Sequence, residues 1–448
     1  MSYDLSKQKS ALSATQLPIH SLKPDPRNPR LHSTRQVNQI AQSIKTFGFN
    51  VPILIDANNL ILSGHGRWLA CQKLGWQEVP VIKLEHLTEA QARAFAIADN
   101  KLCENATWNT KLLGEIFIEL NALDLDFSLE DTGFTMGEID LHIEGLNLTQ
   151  NETDAADKLP AETDQPAISQ VGDLWLLGKH RIFCGNALDS QSYDQLMQGA
   201  KAQLIFTDPP YNVPIVGHVS GKGLVQHREF AMASGEMTDV EFTTFLTQTL
   251  KLLAANSQEG SIHFICQDWR HAANLLAAGN VTYTELKNIC VWTKDNGGMG
   301  SLYRSQHELV FVFKHGTAKH HNNIELGKYG RYRTNVWQYP GANSLSRQGH
   351  EGNLLAIHPT VKPVALIADA IMDCSARGVV VLDCFLGSGS TILAAERVGR
   401  IAYGMEIDPL YVDTAIRRWQ SYCGEHAIHA ATGETFNAHA ARAEVHHE

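Results

Sequence analysis

Apolar residues recur along this chain in two rhythms, and the rhythms divide it. Val37, Ile40, Ala41, Ile44 and Phe47 stand three and four residues apart, which predicts a helix that Gly48 stops. Pro52-Ile53-Leu54-Ile55-Asp56 and Leu60-Ile61-Leu62 flank Ala57-Asn58-Asn59 as a hairpin, and 79–84 is a further strand. Gly64-His65-Gly66-Arg67 enters a short helix over 68–74, and Thr88-Glu89-Ala90-Gln91 opens a capped helix running to Ala98. Beyond residue 171 the pattern changes. Continuous apolar runs at 202–207, 261–266, 288–292, 308–313 and 378–383 read as buried strands, and helical periods at 194–197, 240–255 and 391–398 separate some of them. Such alternation predicts an α/β sheet.

The implied organisation is a flexible N-terminus (1–17), a small α+β unit (18–147), an acidic solvated linker (148–170), a larger α/β unit (171–422) and a tail (423–448) that frays from a helix or is disordered. A length of 448 residues suits two or three domains. No apolar signal segment and no long uncharged apolar stretch is visible, so the expected setting is cytoplasmic, with no membrane partner. The eight cysteines include no Cys-x-x-Cys pair and read as free thiols, and no metal cluster is expected, His320-His321 being a polar loop.

Candidate chemistry begins at Asp208-Pro209-Pro210-Tyr211. The two prolines end the strand before them because neither donates a backbone hydrogen bond. An acid and an aromatic ring are thereby presented at the carboxyl end of a strand, where open α/β sheets place ligands. Asp208 and the Pro209 carbonyl can accept hydrogen bonds from an amino group, and Tyr211 offers a flat face; the set suits the exocyclic amine of a flipped nucleobase. A plain Pro-Pro turn is the simpler reading of the tetrapeptide alone. A second candidate follows the strand 378–383: a glycine loop, a helix, a strand and then Glu406, an order that places a carboxylate on a ribose. Asp383 would orient an amino-acid group there and Phe385 would cover a base.

In the small unit, Asn28-Pro29-Arg30 and Gly64-His65-Gly66-Arg67 resemble the N-terminal domain of the ParB family, whose matching stretches form a nucleotide or phosphate pocket. The resemblance implies a pocket of Asn28, Arg30, Gly64, His65 and Arg67. Trp68 stands where the family usually has a second arginine, so a pocket that helps to dock DNA or a partner is expected rather than one that hydrolyses a nucleotide. A glycine turn with an exposed arginine is the bland alternative.

The larger unit resembles the amino-methyltransferases of DNA, which methylate adenine N6 or cytosine N4. The residues carrying this are Asp208 to Tyr211, the loop Asp383-Cys384-Phe385-Leu386-Gly387-Ser388-Gly389-Ser390-Thr391, and His358-Pro359-Thr360-Val361-Lys362-Pro363. Their order is that of the family's permuted beta class, and the fold implied is Rossmann-like. The resemblance implies S-adenosylmethionine as cofactor, bound by Asp383, Phe385, Gly387, Ser388, Gly389, Glu406, Asp408 and Lys362. Asn186 stands where the family has an aspartate, and Asp189 is positioned to share its part. An Asp-led tetrapeptide goes with adenine in this family, and a Ser-led one with cytosine. Double-stranded DNA is the implied partner, near the nucleoid, and a homodimer is carried over from the class.

A net charge of −11 weighs against nucleic-acid binding. The stretch 314–350 answers it locally, with Lys328, Arg331, Arg333 and Arg347 interleaved with Tyr329, Tyr332, Trp337 and Tyr339. Arg304, in the stretch 294–304, and the aperiodic stretch 217–235 are further candidates for groove contact or a lid. Asn335-Val336-Trp337 reads equally as recognition element or core packing. Two rivals stay open: an enzyme acting on RNA or protein amines, and a non-catalytic ParB-like DNA-binding protein with a relic second unit.

Overall fold

A computed structural model describes residues 12–123, 125–146, 155–157, 166–213, 233, 235–295, 297, 302–328, 330–341 and 361–445. The chain divides into two compact units, Met1–Leu148 and Thr149–Glu448. Among the described residues no helix is long and apolar enough to cross a membrane.

The first unit carries β1 (Ala14–Pro18), α1 (Thr34–Phe47), β2 (Ile53–Ile55), β3 (Ile61–Ser63), α2 (His65–Lys73), β4 (Glu78–Lys83), α3 (Glu89–Glu104), α4 (Thr110–Ala122) and α5 (Met136–Glu144). The sheet order is β1-β4-β2-β3. Ile53, Ile55, Ile61, Val79 and Val81 pack against Ala41 and Ile44 of α1 and Ala70 and Cys71 of α2. Ser33 caps α1, and Thr88 with Gln91 forms the capping box of α3. The expected flexible N-terminus is corrected at Ala14–Pro18, which pairs antiparallel with β4. Thr15, Leu17 and Ile19 alternate, but the run is too short and polar to stand out alone.

The second unit carries β5 (Leu174–Leu177), β6 (His180–Cys184), α6 (Ser190–Met197), β7 (Ala202–Thr207), α7 (Asp239–Ala255), β8 (Ser257–Gln267), α8 (Ala272–Thr282), β9 (Glu285–Thr293), β10 (His307–Lys314), β11 (Val336–Gln338), α9 (Val364–Cys374), β12 (Val380–Asp383), α10 (Ser390–Arg397), β13 (Ile401–Glu406), α11 (Pro409–Cys423), β14 (Ile428–His429) and α12 (Phe436–Val445). Its sheet runs β11-β9-β10-β8-β7-β12-β13-β6-β5-β14. The centre, β8-β7-β12-β13-β6, is parallel throughout. Helices α9, α10 and α11 cover one face and α6, α7 and α8 the other. Both faces are therefore buried, which is why these strands read as near-continuous apolar runs. The chain leaves β7 toward β8 and leaves β12 toward β13 in the opposite direction. β7 and β12 thus flank the switch point where such sheets bind ligands.

Two further expectations are corrected. The linker is not wholly solvated: Asp157 is buried and accepts the Val364 amide at 2.9 Å, and Asp413 accepts the amides of Ile168 and Ser169. Nor is the tail loose. β14 pairs with β5, and Phe436, 1% exposed, packs with its ring 5.3 Å from that of Trp175.

Candidate functional site

The turns after β7 and β12 lie side by side and build the site. After β7 the chain folds so that the Tyr211 hydroxyl donates to Asp208 Oδ1 at 2.5 Å. Asn212 holds the turn with a φ of 53°; its amide donates to the Met237 carbonyl at 2.8 Å, and its oxygen accepts the amides of Gly235 and Met237. The other Asp208 oxygen accepts from Lys362 Nζ at 2.5 Å. Lys362, 5% exposed, also donates to the Tyr211 hydroxyl at 3.2 Å and stands 3.0 Å from Glu308 Oε2. Lys294 donates to the second Glu308 oxygen and lies over the Trp292 ring. Two carboxylates, two ammonium groups and a phenol thus form one closed network.

Burial pushes the Asp208 carboxyl above its usual range, and Lys362 pulls against that rise. Burial would lower Lys362, but Asp208 and Glu308 hold it well above its ordinary value and therefore cationic. Burial likewise disfavours the charge on Glu308, and the two lysines overcome it, holding that carboxyl well below the carboxylate range.

The glycine loop after β12 is tied to this turn. Asp383 accepts from the Thr207 hydroxyl at 2.7 Å, the Phe385 amide at 3.1 Å and the Thr391 hydroxyl at 2.6 Å. Burial pushes its carboxyl up to about 6 despite these bonds. Gly389 has φ 87°, and a Cβ there would stand 2.7 Å from the Ala415 Cβ, so the loop closes directly on α11. Arg418, itself buried, clamps the loop through the Ser388 carbonyl at 2.7 Å and the Ser388 hydroxyl at 2.9 Å. Glu406, at the end of β13, accepts the amides of Gly387 at 2.8 Å and Asp408 at 3.0 Å. Burial pushes its carboxyl up to about 7. The Gly185 amide donates to the Glu406 carbonyl at 2.9 Å, which brings the half-buried Asn186 beside this acid. Phe385 is half-buried, 6.0 Å from the Phe245 ring.

Several of the expected site residues have partners within the protein, and the two arginines expected at DNA are corrected. Lys362 faces Asp208, where two carboxylates compensate its burial, and not the glycine loop. Asp383, through its bonds to Thr207, Phe385 and Thr391, pins the two turns to each other. Asp189 and Asp408 are helix caps, accepting the amides of Gln191 and Leu410. Arg331, 5% exposed, and Arg333 are bound to Asp369 and Asp373 of α9, so neither guanidinium faces a phosphate. Lys294, expected at a groove or lid, is bound to Glu308. Trp337 is core packing, 4% exposed. Lys328 and Arg304 are exposed. Arg347, the stretch 217–232 and His358-Pro359-Thr360 lie outside the described residues.

Sequence reasoning missed Glu308, Thr207 and Arg418. The available signal for Glu308 was one acid opening an otherwise apolar strand.

In the first unit, Gly64 takes φ 102° and caps α2, and a Cβ there would press on the Arg67 guanidinium. Arg67 donates to the Pro52 carbonyl at 3.4 Å, its buried Nε has no partner among the described residues, and burial lowers its pKa against the pull of Asp99. His65 accepts the Asp25 amide at 3.2 Å, and burial lowers its pKa. Asn28 closes a local turn on the Arg30 amide, and Arg30 is paired with Glu104. Gly64, His65 and Arg67 are thus gathered at one helix start, whereas the side chains of Asn28 and Arg30 are engaged within the unit.

Known proteins share both parts of the chain. The DNA methylase family profile matches residues 202–417, and that of the ParB N-terminal domain matches residues 3–101. The ParB-like nuclease domain-containing protein YnaK of Escherichia coli K12 is 47% identical over 74 residues, covering 16% of this chain and 85% of that protein. The type II methyltransferase M2.MboI of Moraxella bovis is 25% identical over 256 residues, covering 53% of this chain and 86% of that protein. The crystal structure of M1.HpyAVI is 19% identical with a TM-score of 0.38, covering 53% of this chain and 96% of that one. The chain therefore joins a DNA N6/N4 amino-methyltransferase domain to an N-terminal domain of the ParB family.

Proposed function

We propose that this protein transfers a methyl group from S-adenosylmethionine to the exocyclic amine of a base in double-stranded DNA, N6 of adenine being the target we favour. The observation that carries the reading is the Thr207–Asp383 hydrogen bond of 2.7 Å, because it locks an amine-accepting turn to a nucleoside-type loop. The type II methyltransferase relative from Moraxella bovis supports the reaction class.

The glycine loop fits the cofactor. Gly389 brings backbone where a Cβ would clash with α11, and Glu406 presents a carboxylate fixed by two amides. Glu406 would accept the ribose hydroxyls, Asn186 the adenine amine, and Phe385 would lie on the adenine face. When bound, the cofactor supplies a methyl group on a sulfonium leaving group. The chain's own part is positioning. Asp208 and the Pro209 carbonyl accept the two amine hydrogens, which favours a pyramidal nitrogen with its lone pair aimed at the methyl carbon. As the C–N bond forms, the nitrogen gains positive charge, and Asp208 receives the proton it sheds. Tyr211 stacks on the extruded base.

The acceptor turn precedes the glycine loop in the chain, an order we read as the permuted beta class. Adenine is favoured because the tetrapeptide opens with Asp; cytosine N4 offers the same amine to the same acceptors. Exposed Lys328 and Arg304 would meet phosphates, and the Gly64-His65-Gly66-Arg67 helix start would hold a phosphate or nucleotide that helps to dock DNA. The test is incubation with methyl-labelled S-adenosylmethionine and unmethylated duplex DNA, followed by nucleoside analysis. Labelled N6-methyladenine is expected. Label on cytosine N4 corrects the base, and no label in DNA overturns the reading.

A further inference from the structure

The four-charge network around Asp208 does more than the proposed reaction requires, and this inference rests on that reaction. An amine docking on Asp208 meets donors already in place: Oδ1 accepts from the Tyr211 hydroxyl, and Oδ2 from Lys362, whose charge holds it on the buried carboxylate more strongly than a neutral amine would. The Lys362 ammonium is a nitrogen donor at hydrogen-bond distance, so it stands in for the amine of a target base. Its three protons have three acceptors, namely Asp208, the Tyr211 hydroxyl and Glu308. It can therefore give up one and keep two. Glu308 is already 3.0 Å away and is itself anchored on its other oxygen by Lys294. The Tyr211 and Trp292 rings, 5.5 and 5.8 Å from the ammonium, flank it throughout.

We propose that Lys362 is a positioning residue that occupies the amine site of Asp208 while no base is bound and withdraws onto Glu308 when the base docks. Glu308 is the carboxylate that receives it. The exchange keeps a donor on Asp208 Oδ2 in each state, so that oxygen of the buried carboxylate never loses its partner at the moment of base entry. A ring that cannot present an amine donor does not replace the lysine, which makes the exchange a filter for amine-bearing bases.

The pH profile of kcat/KM on duplex DNA, read together with KM for DNA, tests this: a lysine that only neutralised Asp208 would set the acid limb and leave KM for DNA unchanged in Glu308→Gln, whereas the exchange raises that KM. Removing the cation beside Asp208 raises that carboxyl by about one to three units. The acid limb of Lys362→Met should move up accordingly, and Lys362→Arg should return it toward wild type. Glu308→Gln should do the opposite. With the receiving charge gone, Lys362 holds Asp208 more tightly, the acid limb moves down, and kcat/KM at neutral pH falls on the order of tenfold, mostly in KM for DNA, an effect the size of one charge-assisted hydrogen bond. Cofactor affinity near wild type shows that each variant is folded. A KM for DNA unchanged in Glu308→Gln, or acid limbs that stay in place in both variants or move the same way, overturns the proposal. A wild-type enzyme that labels no DNA overturns the underlying reaction instead.

Discussion

Asp208 and Glu406 stand at the ends of two strands in the parallel centre of one sheet, with β12 between them, and they are held in opposite ways. Glu406 is fixed by backbone amides, those of Gly387 and Asp408, which cannot move unless the loop unwinds. Asp208 is held by side chains, Lys362 and Tyr211, whose rotamers can change while the fold stays intact. The contrast matches what each acid would meet. A cofactor that always arrives in one pose is served by a rigid acceptor. A base that must enter from a helix and leave again is served by an acceptor whose partners can step aside.

The strongest way to break this comparison is Asp208→Ala. Methyl transfer should fall on the order of 10²- to 10⁴-fold, the range for loss of a positioned acid or base, with cofactor affinity unchanged by calorimetry. Equal loss of both would show that the two acids are one site. Next comes Glu406→Gln, which should weaken the cofactor on the order of tenfold to a hundredfold, the size of a charged hydrogen bond, while base docking is spared. The same acid gives a pH test. Its carboxyl, pushed up to about 7 by burial, accepts ribose hydroxyls more strongly once ionised, so affinity should rise from pH 6 to pH 8 and level off above. Glu406→Gln should flatten that rise; a rise that persists would move the titration elsewhere. The smallest effect is expected from Thr207→Val, which removes the link between the turns but leaves Asp383 bonded to Thr391 and Phe385. Unfolding should show a loss of about 1–2 kcal/mol, with modest and parallel losses in cofactor affinity and transfer rate. A loss confined to one of them would mean that the turns are independent.

Much of this arrangement was legible in the chain. The switch point followed from two apolar strands, one ending in Pro-Pro and one in a glycine loop, because strand ends and tight turns are local properties. The capping box at Thr88 was legible for the same reason. The network was not. Glu308 and Lys294 join the network around Asp208 only because β10 and β9 lie beyond β8 in the sheet, and pairing order is not written in any one segment. Arg331 and Arg333 misled for a related reason: a basic, aromatic stretch reads as a nucleic-acid face until Asp369 and Asp373 of a distant helix are brought against it. Asp189 and Asp408 cap helices, and a cap and a ligand acceptor use the same residue type, so the residue type alone does not separate the two roles.

The short strand Ile428–His429 lies along β5, the outermost long strand on that side, and the Ala430 amide bonds to the Leu174 carbonyl at 2.8 Å. An uncovered row of amides and carbonyls is a template for a strand from another molecule. This segment acts as a shutter on that template, latched by Phe436 against Trp175. A truncation before Ile428 would spare every residue of the proposed chemistry and still leave a protein that sticks to itself.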